Sequence, residues 1–311
     1  MSTSWKNSPV VFLFGPTGVG KTRFLEDLPP GFEVVAVDSI QVYRGLDIGS
    51  AKPRGELSRV PHHLIDIRDP GQPFDVGDFV DEARRAVASI RDRGLVPVLS
   101  GGTAYYFQAY ALGLPETPPS TPDTRAQALA KWEAEGETAL RLSLAAVDPV
   151  SEARIQPHDG YRLQRAWEVW LLSGRPLSSF GRTAPPPAAV FAAGLDRPRD
   201  ELYKRIEARV DAMLAEGLEA EVRALVAAGW GPSTPALKGI GYAEWFPWVL
   251  TAEGSLADVR ADIVLHSRRY AKRQLTFFRS LPGVRWYHPD RPGELLSDLR
   301  EWSLTNAPDW W

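Results

Sequence analysis

Cysteine is absent from the 311 residues of the chain. That excludes disulfides, thiolate zinc sites and cysteine nucleophiles, and it fits a reducing compartment. A long apolar run is missing from the N-terminal region, where Val10 to Phe14 covers only five residues. Five residues are too few for the core of a signal peptide or for a membrane span, so a cytoplasmic location and no membrane contact are expected. There are no internal repeats and no long low-complexity stretch. Net charge is only −3, which by itself says nothing about nucleic acid. What remains is ordinary for a soluble globular protein: 44% apolar and 24% charged residues, with room for one large or two moderate domains.

The first hundred residues alternate between strand and helix patterns. Val10–Phe14, Glu33–Val37 and Leu95–Leu99 are short apolar runs of the kind buried in a parallel sheet. Helical patterns follow from about Lys21 to Leu28 and from Phe79 to Arg93, where Gly94 closes the second. Leu114 to Asp123 is a proline-rich break, and Pro185–Pro187 is another. Between them the chain reads as helical, over Thr124–Ala146 and Gly160–Ser173. Phe191–Leu195 returns to the sheet, and long helices are expected over 199–228 and 255–280. The fold class is therefore α/β: a P-loop NTPase-like parallel sheet flanked by helices, with an inserted all-helical domain. Residues 1–114 and 186–311 form the core, and 115–185 the insertion. Ligands of such sheets bind beyond the carboxyl ends of the strands, where loops 15–22, 38–41 and 101–103 converge.

Gly15-Pro16-Thr17-Gly18-Val19-Gly20-Lys21-Thr22 matches G-x-x-x-x-G-K-[ST] in full, after a strand and before a helix. Glycines let backbone amides turn towards one anion, the helix N-terminus adds a favourable dipole, Lys21 neutralises phosphate oxygens and the Thr22 hydroxyl can ligate Mg²⁺. The loop implies a di- or triphosphate without saying nucleotide or kinase. A P-loop kinase usually carries an acid after a second strand, yet Leu95–Leu99 ends in Ser-Gly-Gly-Thr. The nearby acid is Asp38. It could serve the metal, act as a base, or simply cap a turn.

Seven segments together resemble the tRNA dimethylallyltransferases, bacterial type: GPTGVGKT (15–22), DSIQVYRGLDIGSAKP (38–53), VPHHLID (60–66), GGTAYY (101–106), YRLQRAWEV (161–169), LKGIGYAE (237–244) and RRYAKRQLTFFR (268–279). The resemblance covers about residues 10–285. It implies transfer of a dimethylallyl group from dimethylallyl diphosphate to N6 of adenine 37 beside the tRNA anticodon. The P-loop would then hold a leaving diphosphate with Mg²⁺ on Thr22, and Lys21 would stabilise the developing charge. Asp38 is implied as the base that orients the amine, with Ser39, Ile40 and Gln41 against the adenine and Thr103 facing the reacting centre. Arg209 matches a diphosphate-contacting arginine. Two departures, Trp167 and Tyr105, fall outside this chemistry, and the Cys/His extension of some eukaryotic relatives is missing.

The resemblance places flanking nucleotides of the anticodon stem-loop at Tyr161-Arg162-Leu163-Gln164-Arg165 and at Lys238-Gly239-Ile240-Gly241-Tyr242, with the glycines allowing close approach to RNA. Between Arg260 and Arg285 stand seven Lys or Arg against one Asp, Asp262. Arg268, Lys272 and Arg279 share a helix face, and Arg269 and Arg273 make a neighbouring pair. Such a face suits phosphate backbone. The inserted helices are expected to grip the anticodon stem, with Arg125 a further contact, and no obligate protein partner is implied. Three other readings are disfavoured by the sequence: a small-molecule P-loop kinase lacks its acid after Leu99, prenyl transfer to a free adenine nucleotide predicts loss of the insertion and the basic stripe, and a non-catalytic RNA-binding protein predicts damage at Lys21, Thr22 or Asp38.

Overall fold

The computed structural model describes residues 9–53, 60–182 and 189–307. The expected break at Pro185–Pro187 and the terminal Trp310-Trp311 lie outside these residues. In chain order the elements are β1 (Val10–Phe14), α1 (Lys21–Glu26), β2 (Phe32–Val37), β3 (His62–His63), α2 (Val76–Asp92), β4 (Val96–Gly101) and α3 (Ala104–Leu112). Then come α4 (Pro122–Val147), α5 (Pro149–Arg154), α6 (Gly160–Ser173), β5 (Val190–Leu195), α7 (Arg199–Ala215), α8 (Leu218–Ala227), α9 (Phe246–Thr251), α10 (Leu256–Arg279), β6 (Arg285–Tyr287) and α11 (Pro292–Asn306). The chain divides into two compact units, Met1–Ala111 with Pro186–Trp311, and Leu112–Pro185.

In the larger unit the six strands are parallel, in the order β3-β2-β4-β1-β5-β6. β1 and β2 are buried along their whole length because helices cover both faces of the sheet. Phe14 stacks on Phe278 of α10 with ring centroids 4.4 Å apart, and Phe107 packs edge-on to both. Phe278 is thus a core residue. α2 starts with a capping box in which Asp75 accepts from the Gly77 and Asp78 amides. The region expected as one helix over 199–228 is two, α7 and α8, separated at Gly217. β3, β6, α3 and α11 were not anticipated from sequence.

The smaller unit is helical among its described residues. α4, kinked at Gly136, packs along α6, and Leu140, Leu144, Leu163 and Ala166 form its core. Some of the tryptophans find a plain role in packing. Trp132, Trp230 and Trp286 lie against Gly160, Gly71 and Gly194, so close that a Cβ there would fall 2.7–3.0 Å from ring carbon.

Candidate active site

The carboxyl ends of β1, β2 and β4 open onto one cavity of about 1040 Å³ in the larger unit. The P-loop forms its floor. Gly18 and Gly20 have φ of +79° and +111°, values that only glycine adopts without strain, and they bring the chain into α1. The amides of Lys21 and Thr22 fall in the first turn of that helix, where no earlier carbonyl can accept them. Not every loop amide is free, however: Thr17 N–H donates to Gln274 Oε1 at 2.9 Å and Val19 N–H to Pro16 O at 3.3 Å. The expected cradle is therefore narrower than the full motif. Gly15, Pro16 and Val19 lie behind it, and Val19 is fully buried.

Lys21 Nζ donates to Gly15 O at 2.8 Å and Pro16 O at 3.1 Å. Burial and the neighbouring Arg209 guanidinium bring the Lys21 ammonium down to about 7, against the opposing pull of Asp38. Two cations facing one cavity at this cost are a site prepared for an anion. Arg209 projects from α7 and donates from Nη1 to Thr17 Oγ1 at 2.8 Å. It lines the cavity beside Asp38. Other arginines hold loop carbonyls: Arg205, which also lines the cavity, donates from Nε to Gly18 O, and Arg197 Nε donates to Val19 O behind the loop, at 2.9 and 2.8 Å. Arg197 is in turn held by Asp290 through contacts of 2.6 and 2.7 Å.

At the end of β2, Asp38 Oδ1 accepts from the Ile40 and Gln41 amides at 2.8 and 3.1 Å. The turn-capping role and the cavity-lining role coexist, one oxygen serving the turn while Oδ2 has no protein partner among the described residues. Ser39 and Ile40 line the same wall. Gln41 gives its amide nitrogen to Ser50 O and Ala51 O at 3.2 and 3.3 Å, so only its Oε1 is left to read a ligand. Across the cavity, Thr103 lines the wall with Tyr270, whose hydroxyl donates to Gly102 O at 3.3 Å and is pushed up to about 12 by burial and Asp38. Lys238, Gly239, Ile240 and Gly241 complete the rim.

Several expectations require correction. Tyr242 is fully buried, donating to Glu221 Oε1 at 2.7 Å, so its side chain does not face a ligand. Gly239 and Gly241 allow close approach, but to this chain's own Ile40 and Gly49 O. Leu163 belongs to the core of the smaller unit, whereas Tyr161, at 82% exposure, and Arg162 face outward. Gln164 is half-buried; Arg165 is spent on Glu168 and Pro118 O. Arg125 is exposed. On α10, Arg268 pairs with Glu207 of α7 beneath the Tyr203 ring, and Arg279 pairs with Asp196 at 2.5 Å. Lys272 and Arg273 have no carboxylate partner among the described residues. With Arg269 they border a shallow concavity beside Phe277. Sequence reasoning missed Gln274, Tyr270, Arg205 and the Glu221 carboxylate. It also missed Lys52, buried between Asp47 and Asp66.

A family model described as IPP transferase matches residues 41–281. The chain belongs to the IPP transferase family. Among similar proteins in that family are tRNA dimethylallyltransferases of Syntrophobacter fumaroxidans and Borrelia turicatae. The first is 45% identical, covering 94% of this chain and 87% of that protein; the second is 40% identical, covering 95% and 97%. The structure is similar to the full-length tRNA isopentenylpyrophosphate transferase of Bacillus halodurans. That match has 36% identity, a TM-score of 0.69, and covers 95% of this chain and 96% of that one. It is also similar to a eukaryotic dimethylallyltransferase solved acting on tRNA, with 25% identity, a TM-score of 0.71, and coverage of 97% and 77%. No helix among the described residues of this IPP transferase family member is long and apolar enough to cross a membrane.

Proposed function

We propose that the protein transfers the dimethylallyl group of dimethylallyl diphosphate to N6 of adenine 37 in the tRNA anticodon loop, releasing diphosphate. One observation supports this above the others. Lys21, Arg209 and the start of α1 share a single cavity with Asp38 and Thr103, and the strand beside them ends without an acid. Membership of the family points the same way.

The allylic C–O bond breaks as charge accumulates on the diphosphate oxygens, and Lys21, Arg209 and the first-turn amides of α1 stabilise that charge. The adenine amine attacks the allylic carbon, forming the N–C bond. Its proton passes to the free oxygen of Asp38, a transfer that requires an approach of about 3 Å. Mg²⁺ suits the Thr22 hydroxyl, a hard oxygen donor that lines this cavity. When bound, it would neutralise diphosphate charge. Extrusion of the adenine costs a few kcal/mol. In this reading Lys238, Lys272, Arg273 and Arg269 offset that cost at the phosphate backbone, and Tyr161 and Arg125 contribute from the helical unit, where Arg162 is paired with Asp159.

The test incubates the protein with labelled dimethylallyl diphosphate, Mg²⁺ and either unmodified tRNA or AMP. Label in tRNA is expected; label in AMP alone would overturn the substrate, and phosphoryl transfer from ATP would overturn the chemistry. Asp38→Asn is the informative variant, because Asn keeps the oxygen that caps Ile40 and Gln41 and loses the base. Transfer should vanish while diphosphate still binds.

A further inference from the structure

Prenyl transfer demands that the leaving diphosphate and the incoming amine be held across one carbon atom, and an error of an ångström is enough to slow it. The loop proposed to take the diphosphate grows from β1, and the Gly102–Thr103 turn beside the reacting centre grows from the adjacent β4. The sheet fixes the roots of the two turns. A single side chain from α10 spans their tips.

Gln274 is 3% exposed. Its Oε1 accepts from Thr17 N–H at 2.9 Å, and its Nε2 donates to Gly102 O at 2.7 Å. The orientation of the amide is determined, because one partner can only donate and the other can only accept. Tyr270, one helical turn earlier, donates to the same Gly102 carbonyl at 3.3 Å. Gly102 leaves room for the bridge: a Cβ there would lie 2.3 Å from Gln274 Nε2. Thr17 also accepts from Arg209 through Oγ1, so the diphosphate arginine and the bridge meet at one residue. A buried amide that joins two functional turns and offers no free atom to a ligand is placed for alignment.

We infer that Gln274 is a positioning residue: it holds the diphosphate loop in register with the Gly102–Thr103 turn, and so acts on the chemical step more than on donor binding. The inference rests on the prenyl-transfer reading for its chemical consequence, while the bridge itself can be tested without it.

Three variants of the full-length protein separate the possibilities. Gln274→Met keeps length and loses both hydrogen bonds. In hydrogen exchange, the Thr17 amide should exchange about tenfold faster than in the unaltered protein; unchanged exchange would refute the bridge. Gln274→Met and Gln274→Asn should lower kcat for labelled dimethylallyl transfer to tRNA by about 10- to 100-fold. Calorimetric affinity for inorganic diphosphate with Mg²⁺ should stay within about threefold. A kcat within twofold of the unaltered protein would overturn the role. So would parallel losses of kcat, diphosphate affinity and thermal midpoint, which would mark a merely structural residue. Gln274→Glu adds a readout that packing alone cannot produce. Protonated, the carboxyl offers the same donor and acceptor as the amide; ionised, it offers only acceptors and faces Gly102 O. Its activity relative to the unaltered protein should therefore rise as pH falls from about 8 to about 6, and a flat ratio counts against positioning. If the unaltered protein moves no label to tRNA, the proposed function and the kinetic role both fall, and exchange at Thr17 alone still decides whether the bridge exists.

Discussion

Among the described residues Glu221 accepts four hydrogen bonds, and their arrangement makes its replacement by glutamine anything but conservative. Oε2 receives the Asp47 and Ile48 amides at 3.1 and 2.7 Å; Oε1 receives the Gly49 amide at 3.2 Å and the Tyr242 hydroxyl at 2.7 Å. Burial and the adjacent carboxylate hold the Tyr242 hydroxyl far above its usual range, so it remains a donor. Both oxygens are filled by pairs of donors. Turned one way, the Glu221→Gln NH₂ meets the Asp47 and Ile48 N–H groups; turned the other, it meets the Gly49 N–H and keeps the Tyr242 contact only by reversing that hydroxyl into an acceptor. A hydrogen bond to a charged group contributes about 1.5–3 kcal/mol, and an orphaned buried donor costs about 1–3 kcal/mol. Since these effects overlap, we expect about 2–4 kcal/mol of destabilisation for Glu221→Gln and about 3–5 kcal/mol for Glu221→Ala. Tyr242→Phe, which removes one bond, should cost only about 1–2 kcal/mol. Urea unfolding followed by circular dichroism gives the differences from midpoints at constant slope. A Gln variant within about 0.5 kcal/mol of the unaltered protein would refute the reasoning, because it would mean that the amides of 47–49 do not depend on a doubly accepting group.

Other predictions follow from the same geometry. Lys21→Met should lower prenyl transfer by about 10²–10³-fold, as does loss of one preorganised donor to developing charge elsewhere; steady-state kinetics checks it. Gly49→Ala would put a Cβ 2.6 Å from the Tyr242 ring, so its unfolding midpoint in urea should drop, with an overpacking cost of about 1–3 kcal/mol. Glu33 is held below the ordinary glutamate value of 4.5, chiefly by its paired hydrogen bonds to Arg93, with His63 adding to them. Its stabilisation is therefore complete above that value and is lost as pH falls through the lower native one. Acid unfolding of Arg93→Met should accordingly be less steep. Each of Lys272→Ala and Arg273→Ala should flatten the salt dependence of tRNA binding by close to one unit of slope. Arg268→Ala, already neutralised by Glu207, should leave that slope unchanged.

The residues that were legible in the sequence are those whose neighbours in the chain explain them. β1, β2 and β4 are apolar runs, and the P-loop carries its own context of strand and helix. Asp38 was legible only through the company it keeps, because a strand-end Asp by itself more often caps a turn. Partners brought from afar were not legible. Arg268 and Arg279 looked like one basic face until Glu207 and Asp196, 61 and 83 residues away, neutralised them. β3 and β6 have two and three residues, too short for a period to show. Gln274 was hidden inside a recognised segment. The available signal was its position with Ala271 and Phe278 on the buried stripe of α10, where a polar amide must find partners.

The P-loop is held from every side before any anion arrives. Arg197, Arg205, Arg209 and Gln274 each occupy one of its backbone or hydroxyl groups, and Lys21 occupies two. An incoming headgroup gives up its own freedom, but the loop has little left to lose. That rigidity works against the enzyme once the bond has broken. A mould that need not change shape to accept diphosphate does not relax when the prenyl chain is gone, and the product then fits as well as the substrate's headgroup did. On the prenyl-transfer reading, free diphosphate should therefore compete with the donor for the same cradle.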